Sequence, residues 1–479
     1  MSAATATAAA VHVLVFPYPA QGHMIPLLDF THHLAARCGV AVTVVVTPQN
    51  LRQLNPLLAA HPRSVTALVL PFPAHPAIPA GVENTVDLPA GGFRHMMVAL
   101  EGLRHPIADW FRTHPSPPAA IISDMFLGWT NHLAAELGVP GYAFFPSGFF
   151  AISFIRSLWC QSPELKNGDD RNTAVGFPEI PNSPIYPWWQ LSPIFRSYVR
   201  GDPKSEFIKD SFLANFVKSH GLVGNTFYAL EGVYSQYLKK VLGHNRVWAI
   251  GPVLPRSDPI HRGGPSSISP DEILSWLDTC QDRSVVYICF GSQAVLTNKQ
   301  MAELAAGLEK STVKFILSVK AATQGHAAGM YGALPPGFDG RVAGRGLVIR
   351  GWAPQVLILR NTAVSAFLTH CGWNSVLESI AAGVPMLAWP MEADQFLNAT
   401  LLVDQLGVAV RVCEGRETVL PAEDLVRFLE GTVGDEWSEK TARAAALRKA
   451  AADAVSDGGS SVNDLEDFAT ELCGAVSLQ

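Results

Sequence analysis

The chain has 479 residues, of which 48% are hydrophobic and 16% charged, and a formal net charge of −6. That length exceeds one compact core and predicts two or three domains. The acidic balance argues against nucleic acid or an anionic membrane as a partner, since both select basic patches.

In chain order, Ala3–Ala10 reads as a loose tail, and no Lys or Arg precedes Arg37, so the basic segment of a signal peptide is missing. Short apolar runs rich in β-branched residues then alternate with helical patterns, which is the signature of parallel α/β units. Strands are predicted at Val11–Pro17, Val40–Thr47, Val65–Leu70, Ala119–Ser123, Gly141–Phe145 and Leu222–Asn225. Helices are predicted at Met24–Cys38, Phe93–Thr113, Leu127–Leu137 and Pro203–His220. The apolar stretch Gly141–Ile155 is broken by Pro146 and is shorter than the ~18–20 residues of a membrane span. Asp169–Asn172, within Ser162–Asn182, is expected to be a mobile surface loop. The Pro-, Gly- and Ser-rich run at 252–270 reads as a linker. A second series follows, with strands at Ser284–Ser292, Lys314–Val319, Leu347–Arg350, Val364–Thr369, Val384–Trp389 and Val408–Val412. Thr297 and Gln300 have capping-box spacing ahead of a helix. A last helix is predicted near Ser438–Asp457; neither it nor the tail beyond it is assigned a packing partner. Two doubly wound halves are therefore expected, 1–251 and 271–479. The seven cysteines include no Cys-x-x-Cys, which suits a reducing, cytoplasmic setting and offers no zinc framework.

No Gly-x-Gly-x-x-Gly follows a strand, and Walker, Gly-x-Ser-x-Gly and Asp-x-Asp motifs are missing. Nicotinamide and hydrolase readings lack their signatures, and a metal-assisted diphosphate site lacks its clustered carboxylates. Chemistry-bearing residues instead collect at predicted strand ends, where open α/β sheets bind ligands. His23 follows the first strand at a helix start, whose positive end favours the neutral imidazole a general base needs. Asp124 ends another strand of the same half and could orient that ring; it fits equally well as an N-cap. In the second half, Trp352 in "GWAPQ" could stack on a flat base. "HCGWNS" (His370–Ser375) opens a helix whose free amides suit a diphosphate, although Ser375 and Glu378 also have capping-box spacing. "WPMEADQ" ends in Asp394 and Gln395, groups that bond sugar hydroxyls. Base, diphosphate and polyol sites in that order match a nucleotide sugar.

Trp352–Gln395, "WAPQVLILRNTAVSAFLTHCGWNSVLESIAAGVPMLAWPMEADQ", resembles the signature box of the plant UDP-dependent glycosyltransferases of secondary metabolism. The likeness extends to "FPYPAQGHMIPLLDF", "GLVGNTFYALE", "VVYICFGS" and the late "GGSS". It is nearest to the branch acting on flavonols and small phenolic acids. The resemblance implies a GT-B fold, α/β, with two Rossmann-like domains across a cleft: an acceptor domain, a linker and a donor domain whose last helix is able to pack back on the first. It places Trp352 and the Ala353 backbone on uracil, and Gln355 and Glu378 on the ribose. Ser292, His370, Asn374 and Ser375 fall on the diphosphate, and Trp373, Asp394 and Gln395 on the sugar. His23 becomes the base and Asp124 its partner. Glu392 departs from the family, which often has an apolar or aromatic residue there. The implied reaction is inverting glucosyl transfer from UDP-glucose to a small phenolic acceptor, by a monomer, without metal or other cofactor. Relatives using rhamnose or xylose, and a non-catalytic UDP-sugar-binding role, stand as alternatives. Phe126, Trp129, Phe149 and Phe150 are expected to wall the acceptor pocket, with Trp188 and Trp189 nearby, unless they are ordinary core.

Overall fold

A computed structural model describes residues 11–88, 92–165, 170–254, 266–320, 330–433 and 435–476. Runs of Val, Ile and aromatic residues form β1 (His12–Phe16), β2 (Ala41–Val46), β3 (Val65–Val69), β4 (Ala120–Asp124) and β5 (Gly141–Phe145). A small antiparallel hairpin, β6 (Ala174–Gly176) with β7 (Ile185–Pro187), precedes β8 (Gly221–Gly224) and β9 (Val247–Ala249). The second half contributes β10 (Val285–Cys289), β11 (Lys314–Val319), β12 (Gly346–Arg350), β13 (Val364–Thr369), β14 (Met386–Ala388) and β15 (Ala409–Arg411).

These make two parallel sheets, in the orders β3-β2-β1-β4-β5-β8-β9 and β12-β11-β10-β13-β14-β15. Each order reverses direction once, between β1 and β4 and between β10 and β13, and such switch points open a crevice at the carboxyl ends of the strands. Register places Phe16 beside Ser123 and Cys289 beside Thr369. The loops after β1 and β4 thus emerge together, as do those after β10 and β13.

Alternation along β1 sets the layers. Val13 and Val15 face an outer cluster with Phe30, Leu34 and Phe468, while Leu14 and Phe16 face an inner cluster. That inner cluster runs through the junction of the halves, from Trp129 and Phe145 to Tyr287 and Trp373. The seven cysteines are unpaired. Among the described residues no helix is long and apolar enough to cross a membrane.

Several elements differ from the sequence reading. The single helix expected over Phe93–Thr113 is two, Gly92–Glu101 and Arg104–Thr113. Gly102 lies so close to Pro73 that a Cβ there would stand 2.9 Å from it, and Pro106, which has no N–H, suits only a helix's first turn. The strand expected at Gly141–Phe145 is β5 with those bounds, and the helix that follows it, Phe149–Gln161, is additional. Strand β9, the hairpin and helices at Leu51–Ala60 and Tyr228–Leu242 are additional. Residues 255–265 of the expected linker and 166–169, which include Asp169 of the expected loop, lie outside the described residues.

The chain closes with two helices, Asp435–Ala454 and Ser460–Val476. The second lies on the first sheet: Phe468 meets Tyr142 and Trp248, each at 5.0 Å between ring centroids. The Trp248 indole donates to Asp467 at 2.7 Å, and the Ser461 hydroxyl to the Gly251 carbonyl at 2.6 Å.

Candidate active site in the cleft

The first helix starts at Gln21, three residues earlier than the sequence pattern suggested, and His23 lies in its first turn. Its Nδ1 is 2.8 Å from Asp124 Oδ2. The other carboxylate oxygen, Oδ1, accepts the Phe126 amide at 2.9 Å. Both readings of Asp124 therefore hold at once: it caps the short turn after β4 and holds the imidazole. Asp124 is fully buried, whereas the His23 side chain is 16% exposed, so the ring opens to the cavity from a sealed carboxylate. Phe126 stacks on the ring at 4.5 Å and Tyr18 meets it edge-on at 5.6 Å. The imidazole plane is thereby fixed, with Nε2 left as the nitrogen not engaged by Asp124.

Across the cleft, the chain turns from β13 into the helix Trp373–Ala382 within three residues. Cys371 takes a left-handed φ of 64°, uncommon for a side-chain-bearing residue, and Gly372 is the N-cap. The first amide bonded within the helix is that of Val376, to the Gly372 carbonyl at 3.0 Å, so the amides of Trp373, Asn374 and Ser375 open toward the cavity. The capping box read from Ser375 and Glu378 does not form, because the helix begins two residues before Ser375. Instead, Gln355 Nε2 donates to Ser375 Oγ at 2.9 Å and to Glu378 Oε2 at 2.7 Å, and the Tyr287 hydroxyl donates to Gln355 Oε1 at 3.3 Å.

His370 is wedged between two glycines: a Cβ on Gly291 or Gly372 would come within 2.5 Å or 2.4 Å of its ring. Its Nδ1 is buried without a partner among the described residues, and burial lowers its pKa to about 4. It is a neutral ring at pH 7, a donor rather than a cation. In the loop after β14, where the helix Gln395–Thr400 begins, Gln395 Oε1 accepts the Met391 and Glu392 amides at 2.9 and 3.1 Å, which leaves its amide N–H groups for the cavity. Burial pushes the Asp394 carboxyl up, and the Ser147 hydroxyl donates to it at 3.2 Å from the other half. Glu392, the departure from the family pattern, pairs with Arg416 at 3.1 Å. The Trp373 indole donates to the Asn225 carbonyl at 2.7 Å, and Asn374 Nδ2 to the Gly22 carbonyl at 3.0 Å. The helix start and the His23 turn are thus one hydrogen bond apart.

One cavity of about 920 Å³ joins these features; its lining includes His23, Ser292, Trp352, Ala353, Asn374 and Gln395. Of the aromatic wall read from the sequence, only Phe126 lines it. Trp129, Phe149 and Phe150 are no more than 2% exposed and pack inward. Trp129 meets Phe16, Phe150 stacks on Tyr234, and Phe149 fills the space a Cβ on Gly224 would take. Trp188 and Trp189 also miss the cavity, lying against Phe195 and Phe396. The wall is instead Phe93, Phe154, Trp159, Tyr186 and Phe212. Phe154 and Leu158 share a helix face with Phe150 at i, i+4 spacing, so spacing alone does not separate lining from core. Ser147, Gln293, Ser318 and Lys320 also line the cavity and were not singled out.

A family model described as UDP-glucoronosyl and UDP-glucosyl transferase matches residues 260–450. UDP-glycosyltransferase 89B2 of Stevia rebaudiana is 57% identical, over 96% of this chain and 97% of its own. Flavonol 3-O-glucosyltransferase UGT89B1 of Arabidopsis thaliana is 54% identical, over 95% of each. The crystal structure of Arabidopsis thaliana UGT89C1 complexed with UDP-L-rhamnose superimposes with a TM-score of 0.80 at 39% identity, covering 97% of this chain and 100% of that one.

Proposed function

The chain belongs to the plant UDP-glycosyltransferase family, enzymes that transfer a sugar from a UDP-sugar, and from that premise we propose that it moves glucose from UDP-glucose, with inversion, onto a hydroxyl of a small phenolic acceptor such as a flavonol. One observation carries the reading: an imidazole oriented by a buried carboxylate, 2.8 Å away, faces an open helix start across a single cavity.

In this reading the donor lies along the second half, with uracil on Trp352 and Ala353 and the ribose on Gln355 and Glu378. Ser292, His370, Asn374 and Ser375 hold the diphosphate, and Trp373, Asp394 and Gln395 hold the hexose. A phenolic hydroxyl, with a reference pKa near ~10, is a weak nucleophile at neutral pH. His23 Nε2 takes its proton as the oxygen bonds to the anomeric carbon, while the bond from that carbon to the diphosphate oxygen breaks and UDP departs with the electron pair. Asp124 stabilises the imidazolium that forms. Attack opposite the leaving group turns an α-linked donor into a β-glycoside. Negative charge on the departing diphosphate meets the amides at residues 373–375. No step uses a metal ion, and one copy of the chain, acting in the cytoplasm, suffices.

Loss of the base removes a positioned proton transfer, so His23→Ala is expected to lower glucoside formation by roughly 10²–10⁴-fold while the Kd for UDP stays within error. Unchanged turnover would refute the base assignment, and unchanged UDP binding with no glycoside from wild type would leave a binding protein. A second donor is favoured by one finding, the relative solved with UDP-L-rhamnose. Turnover with UDP-rhamnose but not UDP-glucose would select it.

A further inference from the structure

The diphosphate site described above is short of positive charge. His370 is neutral, and the helix start offers only partial charge. Among the described residues lining the cavity, the permanent or near-permanent cations are Arg94, Arg416 and Lys320. Arg416 is committed to Glu392 at 3.1 Å. Arg94 bonds Ser205 at 2.9 Å, on the acceptor side.

Lys320 is placed differently. It follows β11, whose Leu317 pairs with Ile288 of β10, so it stands beside the loop that carries Gly291 and Ser292. Its ammonium donates to the Ser292 carbonyl. Among the described residues no carboxylate reaches it within salt-bridge distance. Asp87 acts on it through space from the turn Thr85–Asp87 in the other half, and Gln293 touches that turn at Thr85 Oγ1, 3.3 Å. Burial lowers its pKa to about 8. An ammonium has three donors; among the described residues one is used, and a partly buried cation with donors to spare gains most from an anion.

We propose that Lys320 is a further donor-binding residue, whose ammonium contacts the diphosphate of the UDP-sugar beside Ser292 and neutralises charge on the departing UDP. This rests on the UDP-sugar reading of the cleft. The positive charge comes from the end of β11, outside the signature stretch, and approaches the diphosphate from the side opposite the helix start.

The test is calorimetric titration of the full chain with UDP and with uridine, for wild type and for Lys320→Met, Lys320→Gln and Lys320→Arg. Removing a charge-assisted hydrogen bond to the diphosphate should weaken UDP binding about tenfold or more in the Met and Gln variants. Uridine, which has no phosphate, should bind them as it binds wild type, and Lys320→Arg should recover most of the UDP affinity. Lys320→Gln keeps a neutral donor near the Ser292 carbonyl, so wild-type UDP affinity in that variant would overturn the proposal. Equal losses for UDP and uridine would also overturn it, showing that Lys320 only props the loop after β10. Wild type that binds neither ligand would instead refute the UDP-sugar reading beneath it. Thermal melts of each variant identify a folding failure, and Lys320→Gln against Lys320→Arg then decides.

Discussion

A histidine held neutral by burial leaves a pH signature, and His370 is such a residue. Its folded pKa, about 4, lies below the ordinary value of 6.5. Above 6.5 both folded and unfolded forms are neutral and the shift has no effect. As pH falls from 6.5 toward 4 the unfolded chain binds a proton that the folded chain refuses, so stability is lost across that window. Each unit is worth about 1.4 kcal/mol, which sets a ceiling of about 3 kcal/mol for this ring. His370→Asn should therefore lose less stability than wild type between pH 7 and pH 4.5, read as the change in urea midpoint of each protein. Identical acid sensitivity would show that the ring titrates freely. At this scale the cavity lining of the second half was largely legible, because His370, Gln355 and Gln395, which all line it, are polar residues just beyond apolar strands, where a core has no use for them. The aromatic part of the lining was not. A Phe serves core and cavity alike, so Phe149 and Phe154, on one helix, could not be told apart without knowing which face turns inward.

Among the elements, the helix Phe149–Gln161 has the most unusual start. Its N-cap is Gly148, which has no side chain to offer. Glu231 supplies the cap from a distant helix: its carboxylate accepts the Phe149 and Phe150 amides at 2.8 and 2.9 Å and the Thr226 hydroxyl at 2.6 Å. Glu231 is 1% exposed. Desolvation raises its pKa, and the three donors pull it back. Helix amides and helix dipole both favour the anion there. Glu231→Gln keeps the shape but turns one acceptor into a donor facing a donor, so a loss of about 1–3 kcal/mol is expected. Hydrogen exchange should quicken first at the Phe149 and Phe150 amides, next to the Ser147 that bonds Asp394. A loss of stability with unchanged exchange at those amides would contradict this. Sequence could not reveal such a cap, because donor and acceptor are about eighty residues apart. The helix itself was also missed: within Gly141–Ile155 the strand was legible with its bounds, but Phe149–Ile155 is apolar except for Ser153 and shows no helical period. By contrast, β1, β4 and β13 were legible to within a residue and β10 to within three, because turn residues bound each of them.

Among the described residues the halves meet through the apolar cluster at their junction and through two further sets of contacts that differ in kind. Around the cleft, Asn374–Gly22, Trp373–Asn225 and Ser147–Asp394 are single hydrogen bonds of 3.0, 2.7 and 3.2 Å. Behind it, the helix Ser460–Val476 leaves the second half and buries Leu465, Phe468 and Leu472 against the first sheet. These cleft bonds are polar and exchangeable with ligand or water, whereas the rear contact is apolar. Phe468 touches rings of three elements, Phe30, Tyr142 and Trp248, so Phe468→Ala should cost about 3–5 kcal/mol. None of the four rings lines the cavity, so the loss belongs to stability and not to binding. A calorimetric scan should show a midpoint several degrees lower, while titration gives an unchanged Kd for UDP. Donor affinity falling in step with stability would show that the rear helix sets the cleft geometry, and the two ties would then be one coupled structure.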